Sequence, residues 1–398
     1  MQSVANKTHR NDQLRAPFLG ILETGWSTFA LVIAIRYFDA NETVKAWITG
    51  AGPMGFLLAP LSLYLGAVFK LCAHQVCALL FTVTAILLGM AASVDSLGGY
   101  CLTIVLSQIC AVQCTPFMLK IFADNYAPSE RGRRMSRPFM LTATCAIAFS
   151  IVGGTLLDRS LHHYPILFAT MALSGLFLAY VSQRFESQKI TLKHTGNPWQ
   201  NLSLIWQDRF FGYLLGAWML LGLGNLITLP IRIEYLADPK YGINASNTTI
   251  SILMLVIPAC TRIASTPLWS RLFDRVSLIT NRNILNFFFL MSIAGFFYSK
   301  NVLVIGCSMA AFGIAIAGGK ILWSLWVTKI APVEKSAAYM SIHMALTGFR
   351  GTLAPFIGYW ILSQFHAQAV ALTGGILIIL ACIAFECMRQ HPRILNQN

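Results

Sequence analysis

Charge is what this sequence has least of. Only 11% of its 398 residues are Asp, Glu, Lys or Arg, where an ordinary soluble domain carries about 25%. A chain so poor in charge cannot clothe a water-facing surface, which excludes a soluble globular fold. Ordered cysteine is missing too: the ten cysteines form no paired C-x-x-C knuckle, so neither a zinc site nor a disulfide framework is signalled. Most of them lie within or at the ends of apolar runs, where cysteine acts as a small hydrophobe. No G-x-x-x-x-G-K-[ST] phosphate loop occurs and no connection has room for a nucleotide-binding domain, which excludes ATP-driven transport. No cofactor and no metal are implied. The first apolar stretch runs on too long for a signal-peptide core and lacks a small-residue cleavage site, so it reads as retained.

What is present is length of apolar run. Hydrophobic residues make up 56% of the chain and the mean hydropathy is +0.63. Stretches of 17 or more apolar residues recur throughout, each long enough to cross a hydrocarbon core of ~30 Å. The pattern predicts an all-α membrane protein of about twelve helices. The expected spans are 17–38, 44–67, 73–93, 98–119, 138–157 and 165–183 in one half. In the other they are 210–230, 248–268, 284–299, 302–326, 336–362 and 367–386. A polar arm from Met1 to Arg15 precedes the first.

The net charge of +14 would suit a nucleic-acid binder only if Lys and Arg clustered on one face of a soluble domain. They alternate instead from one connection to the next. With the N-terminus in the cytoplasm, 20 of the 29 fall on the cytoplasmic side and 6 on the other, leaving Arg262, Lys320 and Arg350 inside spans. That asymmetry places both termini in the cytoplasm and requires an even number of crossings. The expected domains are 1–184, a cytoplasmic linker 185–209 and 210–398. Within the linker, Asn197-Pro198-Trp199 opens a stretch whose apolar residues Trp199, Leu202, Ile205 and Trp206 recur at helical spacing. An in-plane interfacial helix and an ordinary linker with two interfacial tryptophans both fit.

The two halves echo one another at an offset of 204 residues. Ala127-Pro128-Ser129-Glu130-Arg131-Gly132 matches Ala331-Pro332-Val333-Glu334-Lys335-Ser336. The same shift pairs Gly20 with Gly224, Leu22 with Leu226, Gly66 with Ser270 and Gly154 with Gly358. Repetition of this kind implies two six-helix bundles related by a parallel pseudo-repeat, with the solute site expected between the halves near the midplane.

On these residues the chain resembles the major facilitator superfamily over essentially its whole length. The family signature G-x-L-A-D-R-x-G-R-R after helix two has an echo after helix eight, seen here as Ser270-Arg271-Leu272-Phe273-Asp274-Arg275. The first copy keeps Gly66 but carries Lys70 at the acidic position. The resemblance implies that Asp274 and Arg275 gate the cytoplasmic side, with Arg262 packed nearby. Glu130-Arg131-Gly132-Arg133 resembles the family's loop between helices four and five, which adds Glu130 and Arg131 to the expected gate. Helix five ends in Gly153-Gly154, yet Phe149 and Ser150 stand where the exporter signature G-P-x-x-G-G has Gly-Pro.

An ionisable group at the centre of a span costs at least ~2.5 kcal/mol and demands a reason. Four are expected inside spans: Glu23, Arg262, Lys320 and Arg350. Arg350 sits about 20 Å along its helix by the 1.5 Å rise, too deep to snorkel, between Gly348 and Gly351. It is read as a fixed charge for an anionic group of the solute, the alternative being a structural ion pair or carbonyl clamp. Lys320 and Trp323, three residues apart, would offer a cation and an indole on one face; a helix-end anchor is the alternative for Lys320. Glu23, the only carboxylate well inside a span, is the candidate for proton coupling, with pairing to Lys320 or Arg350 as its rival. Trp26, Gln108, Gln113 and Asn225 complete the candidate solute-binding set, although such residues more often bond helix to helix.

The function implied is a secondary active transporter, expected as a monomer in the lipid bilayer of a bacterial inner membrane. It would move a small anionic or zwitterionic solute, coupled to protons, by alternating access. A proton-driven exporter of apolar or cationic compounds, with Glu23 reading the cation, is the alternative. An intramembrane enzyme would need a clustered nucleophile and base, for which His343 beside Ser341 lacks an acidic partner. A receptor that binds without flux is the remaining class.

Overall fold

The computed structural model describes residues 2–190, 200–331 and 336–395, leaving aside the side chains of 2, 128–129, 200–201, 274, 324–325, 328–329 and 336–338. The linker tripeptide Asn197-Pro198-Trp199 and most of the Ala331–Ser336 echo therefore lie outside the described residues. A hydrocarbon slab offers the backbone no hydrogen-bond partners, so a spanning segment must satisfy its own. The described residues accordingly form twelve long helices. We label them α1 (Gln2–Thr24, continuing through a π-turn Gly25–Phe29 into Ala30–Arg36), α2 (Glu42–Val68), α3 (Ala73–Ala91), α4 (Leu97–Asn125), α5 (Pro128–Arg159) and α6 (Tyr164–Ser182). There follow α7 (Arg209–Ala237), α8 (Asn247–Ser251, a π-turn Ile252–Val256, then Ile257–Arg275), α9 (Leu278–Phe297), α10 (Val302–Ile330), α11 (Ser336–Gln364) and α12 (Ala367–Cys387). Among the described residues, ten stretches are long and apolar enough to span a membrane by length and composition alone; α9 and α11 supply none of them.

Polar side chains fix where helices begin. Asn41 accepts from the Val44 N–H at 3.0 Å, Ser277 from Thr280 at 3.3 Å and Asn301 from Leu303 at 2.8 Å. Each satisfies one of the donors that a helix N-terminus leaves unpaired. Helices also run past their apolar spans, because hydropathy ends at the first polar residue whereas helical hydrogen bonding does not. The polar N-terminal arm is thus the opening of α1. It is tied down by Lys7–Glu186 at 2.8 Å, by Asn11 to the Arg184 carbonyl at 3.0 Å and by Asn125 to Thr8 at 3.0 Å.

The same extension corrects the inventory of charges. Arg232 falls beyond the expected span 210–230 but inside α7, and Arg282 falls before 284–299 but inside α9. Both are buried. The expectation of four charges inside spans therefore omits both.

The chain divides into two compact units, one of Met1–Gly196 with Ala245–Ser251 and one of Asn197–Asn244 with Ile252–Asn398. In the first, α3 packs on α4 and α6, α1 on α5 and α6, and α2 on α4. In the second, α9 packs on α10 and α12, α7 on α11 and α12, and α8 on α10. Each pairing recurs six helices later, so the sequence echo at 204 residues is an echo of packing.

Close approach carries these contacts. A Cβ on Gly20 would press into the Thr142 carbonyl of α5, and one on Gly224 would stand 2.6 Å from the Gly374 carbonyl of α12. Across the α1–α5 contact, Thr24 donates to the Ala146 carbonyl at 3.2 Å and Thr142 to the Ala16 carbonyl at 3.0 Å.

The second unit is clasped at the start of α7. Asp208 accepts from the Phe211 N–H at 3.2 Å, from Tyr339 at 2.9 Å and from the C-terminal Arg393 at 2.6 Å. Next to it His391 stacks on Phe210 with ring centroids 3.8 Å apart. Burial pushes the Asp208 carboxyl up, but the hydrogen bonds from Arg393, the Phe211 N–H and Tyr339 outweigh it and hold the group below the ordinary carboxylate range.

Two outcomes follow in thermal unfolding of the purified protein. Gly20→Val should destabilise by about 1–3 kcal/mol through overpacking, while Gly89→Val, which meets nothing within 4 Å, should leave the melting temperature unchanged. The lowered Asp208 value means that the clasp's contribution is fully present above the ordinary carboxylate range and is lost as pH falls through the folded-state value. Melting from pH 7 down to 3 should therefore show an acid-side loss that is smaller in Asp208→Asn; equal losses would exclude Asp208 as the source.

Candidate functional site

The polar interior of the second unit gathers around one indole. Trp218 of α7 is buried against Trp326 of α10, with ring centroids 5.3 Å apart. His343 of α11 meets Trp218, Trp323 and Trp326 at 5.6, 5.4 and 5.2 Å between centroids. Arg282 reaches in from α9 and lays its guanidinium over the Trp218 ring, 4.3 Å from the centroid. Arg350 reaches from α11 and donates through Nη1 to the carbonyl of the same Trp218. Gly222, one turn along α7, makes room for it, since a Cβ there would overlap the Arg350 guanidinium. This is the carbonyl-clamp geometry, but it uses only part of the group: Arg350 Nε is buried and bonded to nothing among the described residues.

The energetics of this cluster stand out. A charged group withdrawn from water loses several kcal/mol of solvation even after relaxation. A desolvated cation over an indole regains ~2 kcal/mol or somewhat more. Neither Arg282 nor Arg350 forms a salt bridge with a described carboxylate, while Glu386 of α12 is held by Arg389 at 2.6 Å and by Asn283. Buried Glu234 of α7 shows the ordinary solution by contrast, paired with Lys240 at 2.9 Å.

The other expected residues distribute as follows. Trp323 joins the His343 contacts, whereas Lys320 of α10 is exposed. Asn225 of α7 is half-buried, with its carbonyl oxygen lacking a partner among the described residues. In the first unit Glu23 is exposed on α1. Trp26, one turn on, donates to Ser107 of α4 at 3.1 Å. Gln108 donates to the Ile48 carbonyl at 3.0 Å, and Gln113 to the Ile109 carbonyl at 3.2 Å while also meeting Ser62. Trp26, Gln108 and Gln113 thus act in bonds within and between α1, α2 and α4.

Of the expected gate, Arg131 donates to the Ala123 and Tyr126 carbonyls at 3.2 and 3.4 Å, completing the end of α4. Glu130 pairs with Arg134 at 2.8 Å. Arg275 is exposed and Arg262 half-buried, and the side chain of Asp274 lies outside the described residues. Lys70, at the decayed signature position, adopts φ 53° where α2 ends, a left-handed conformation that commonly closes a helix.

Sequence reasoning passed over Arg282, Trp218 and Trp326. The one available signal for Arg282 was its place at the head of an apolar run, after Asn281. It also passed over Asp158, at the end of α5, which accepts from the Asn247 and Thr248 N–H groups at 2.6 and 3.0 Å and from the Thr248 hydroxyl at 2.6 Å. Arg36 binds Asn247 and the Ala245 carbonyl there, at 2.5 and 2.6 Å. The first turn of α8 is thereby held within the first unit.

Twelve long helices in a six-plus-six repeat, with buried charge in the interior of one unit, define an integral membrane transporter. The chain belongs to the Major Facilitator Superfamily, whose model matches residues 18–319 and again 239–397. Among solved structures it is similar to the nucleoside transporter NupG (TM-score 0.77, 16% identity, covering 96% of this chain and 99% of that one). It is also similar to a bacterial homologue of the human lysosomal transporter Spinster in an inward-facing, unoccupied conformation (0.72, 12% identity, 100% and 98%). A third likeness is to the xylose transporter XylE from E. coli (0.64, 11% identity, 95% and 95%). A comparison with curated proteins finds no matching relative by sequence. Family and fold support secondary active transport by alternating access.

Gly222→Val should dislodge Arg350 from the Trp218 carbonyl. Tryptophan emission of the purified variant should shift relative to wild type, and Gly216→Val, which meets nothing within 4 Å, should not reproduce the shift.

Proposed function

We propose that this transporter moves a small solute bearing an anionic group, as an anion or zwitterion, and couples its movement to protons. The observation that carries the reading is Arg350, a guanidinium well along α11 for which α7 leaves space at Gly222 and which no described carboxylate neutralises. A fixed cation in a water-poor interior discriminates strongly for an anionic partner. Lys320 and Trp323 on α10 supply a second cation and an apolar wall in this reading, with Asn225 of α7 as a polar contact. Glu23 takes the proton: it is a carboxylate on an otherwise apolar stretch of α1, where protonation changes by environment are large. The D-xylose–proton symporter that shares this fold (TM-score 0.67, 12% identity) is a precedent for moving a small solute with a proton. We place both termini in the cytoplasm, on the distribution of Lys and Arg between connections, and the monomer in a bacterial inner membrane.

The protein reconstituted in liposomes should pass current when rinsed with mono- or dicarboxylates, phosphate esters or amino acids, and less at the pH that removes the proton gradient. Arg350→Gln should abolish the anion-evoked current. Glu23→Gln should lose uphill accumulation yet keep solute exchange. Currents evoked by lipophilic cations alone, and lost in Glu23→Gln, would overturn the anion reading in favour of an exporter.

A further inference from the structure

Two cations in the second unit are anchored on a single residue. Arg282 lies over the ring of Trp218 at 4.3 Å, and Arg350 donates to its carbonyl. His343 packs against the same Trp218, with ring centroids 5.6 Å apart. Arg282 is 3% exposed and His343 fully buried, so water does little to screen them. The polar atoms left over around them include five donors: Arg282 Nε and Nη1, Arg350 Nε, Trp218 Nε1 and Trp326 Nε1 are all buried without an acceptor among the described residues. The acceptors left over are neutral: the carbonyl oxygens of Asn225, Asn281, Asn283 and Asn286, and one imidazole nitrogen of His343. A cluster with two positive charges, unpaired N–H groups and no carboxylate bound to it among the described residues is complementary to an anion.

We propose that this cluster is an anion subsite in which Arg282 and Arg350 together hold one small anionic group, with Trp218 between them. The inference rests on the anionic-solute reading and extends it: Arg282 joins Arg350 and Lys320 as a further cation, and a group with several acceptor oxygens fits two guanidinium forks better than a single point charge does. The anionic group is either that of the solute or a free inorganic anion, since both meet the same donors.

Titration of the purified full-length protein with inorganic phosphate, acetate and chloride, followed by tryptophan emission, tests this. At least one of the three should give a saturable change, and Arg282→Gln should weaken its apparent affinity about tenfold or more. Arg282→Lys should restore part of it, because charge returns without the fork. Saturation by phosphate or acetate but not chloride points to an oxyanion group of the solute; saturation by chloride as well points to a free anion. Should Arg282→Gln fail to fold, Trp218→Phe keeps an aromatic face and should remove most of the emission change. No saturable change with any probe, or full affinity in Arg282→Gln, overturns the subsite. Saturable binding without uptake of the bound anion into liposomes would sink the proposed transport while leaving the subsite standing. Anion currents lost in Arg350→Gln but unaltered in Arg282→Gln would do the reverse.

Discussion

Inside hydrocarbon, an apolar side chain gains nothing by turning from lipid toward another helix, so association depends on how closely backbones approach. That constraint shapes both units of this transporter. Gly20 lets α1 lie against the Thr142 carbonyl of α5, and Gly224 with Gly374 does the same for α7 and α12. Hydroxyls then add bonds to the carbonyls that close packing has brought within reach, as Thr24 and Thr142 do. The five helix pairings that recur six helices later are the large-scale result of those local contacts.

Burial of charge obeys the same scarcity of water but resolves it in two ways. Glu234 is neutralised directly by Lys240. Arg282 and Arg350 are handled otherwise, with an indole face and one carbonyl in place of a carboxylate. Arg232 follows the second pattern, set between the rings of Phe296 and Phe312 at 5.2 and 4.6 Å and bonded to Ser292 at 2.9 Å. Aromatic rings are thus the means by which this chain keeps the buried guanidinium groups of Arg232 and Arg282 in its second unit. Such support is soft: it leaves N–H groups unspent, whereas a bidentate carboxylate would use them.

The architecture was readable because its signal is long. Apolar runs of twenty residues and an echo at 204 residues survive loss of individual motif positions, as Lys70 shows. Chemistry was less readable where a helix outlasts its apolar stretch. Arg282 precedes the apolar part of α9 by two residues, and Asn281, Asn283 and Asn286 dilute the hydropathy around it. Only the helical geometry turns that side chain inward onto Trp218. Gln108 and Gln113 illustrate the opposite difficulty: a polar residue in a span advertises itself, yet whether it serves a solute or a neighbouring carbonyl depends on rotamer and register. The sharing of α8, whose first turn belongs to the first unit, has no linear signature at all, because Asp158 and Thr248 lie 90 residues apart.

The docked N-terminal arm bears on how the protein is made. Its partners Arg184 and Glu186 follow it by 173 and 179 residues. At ribosomal speeds of about 5–20 residues per second, roughly 10–35 s separate the emergence of the arm from that of its binding segment. During that interval Lys7 and Asn11 have only water, lipid headgroups or chaperones to meet. Its contacts with Arg184 and Glu186 thus form after those with Asn125 and Arg134, which follow Thr8 and Asn6 by 117 and 128 residues.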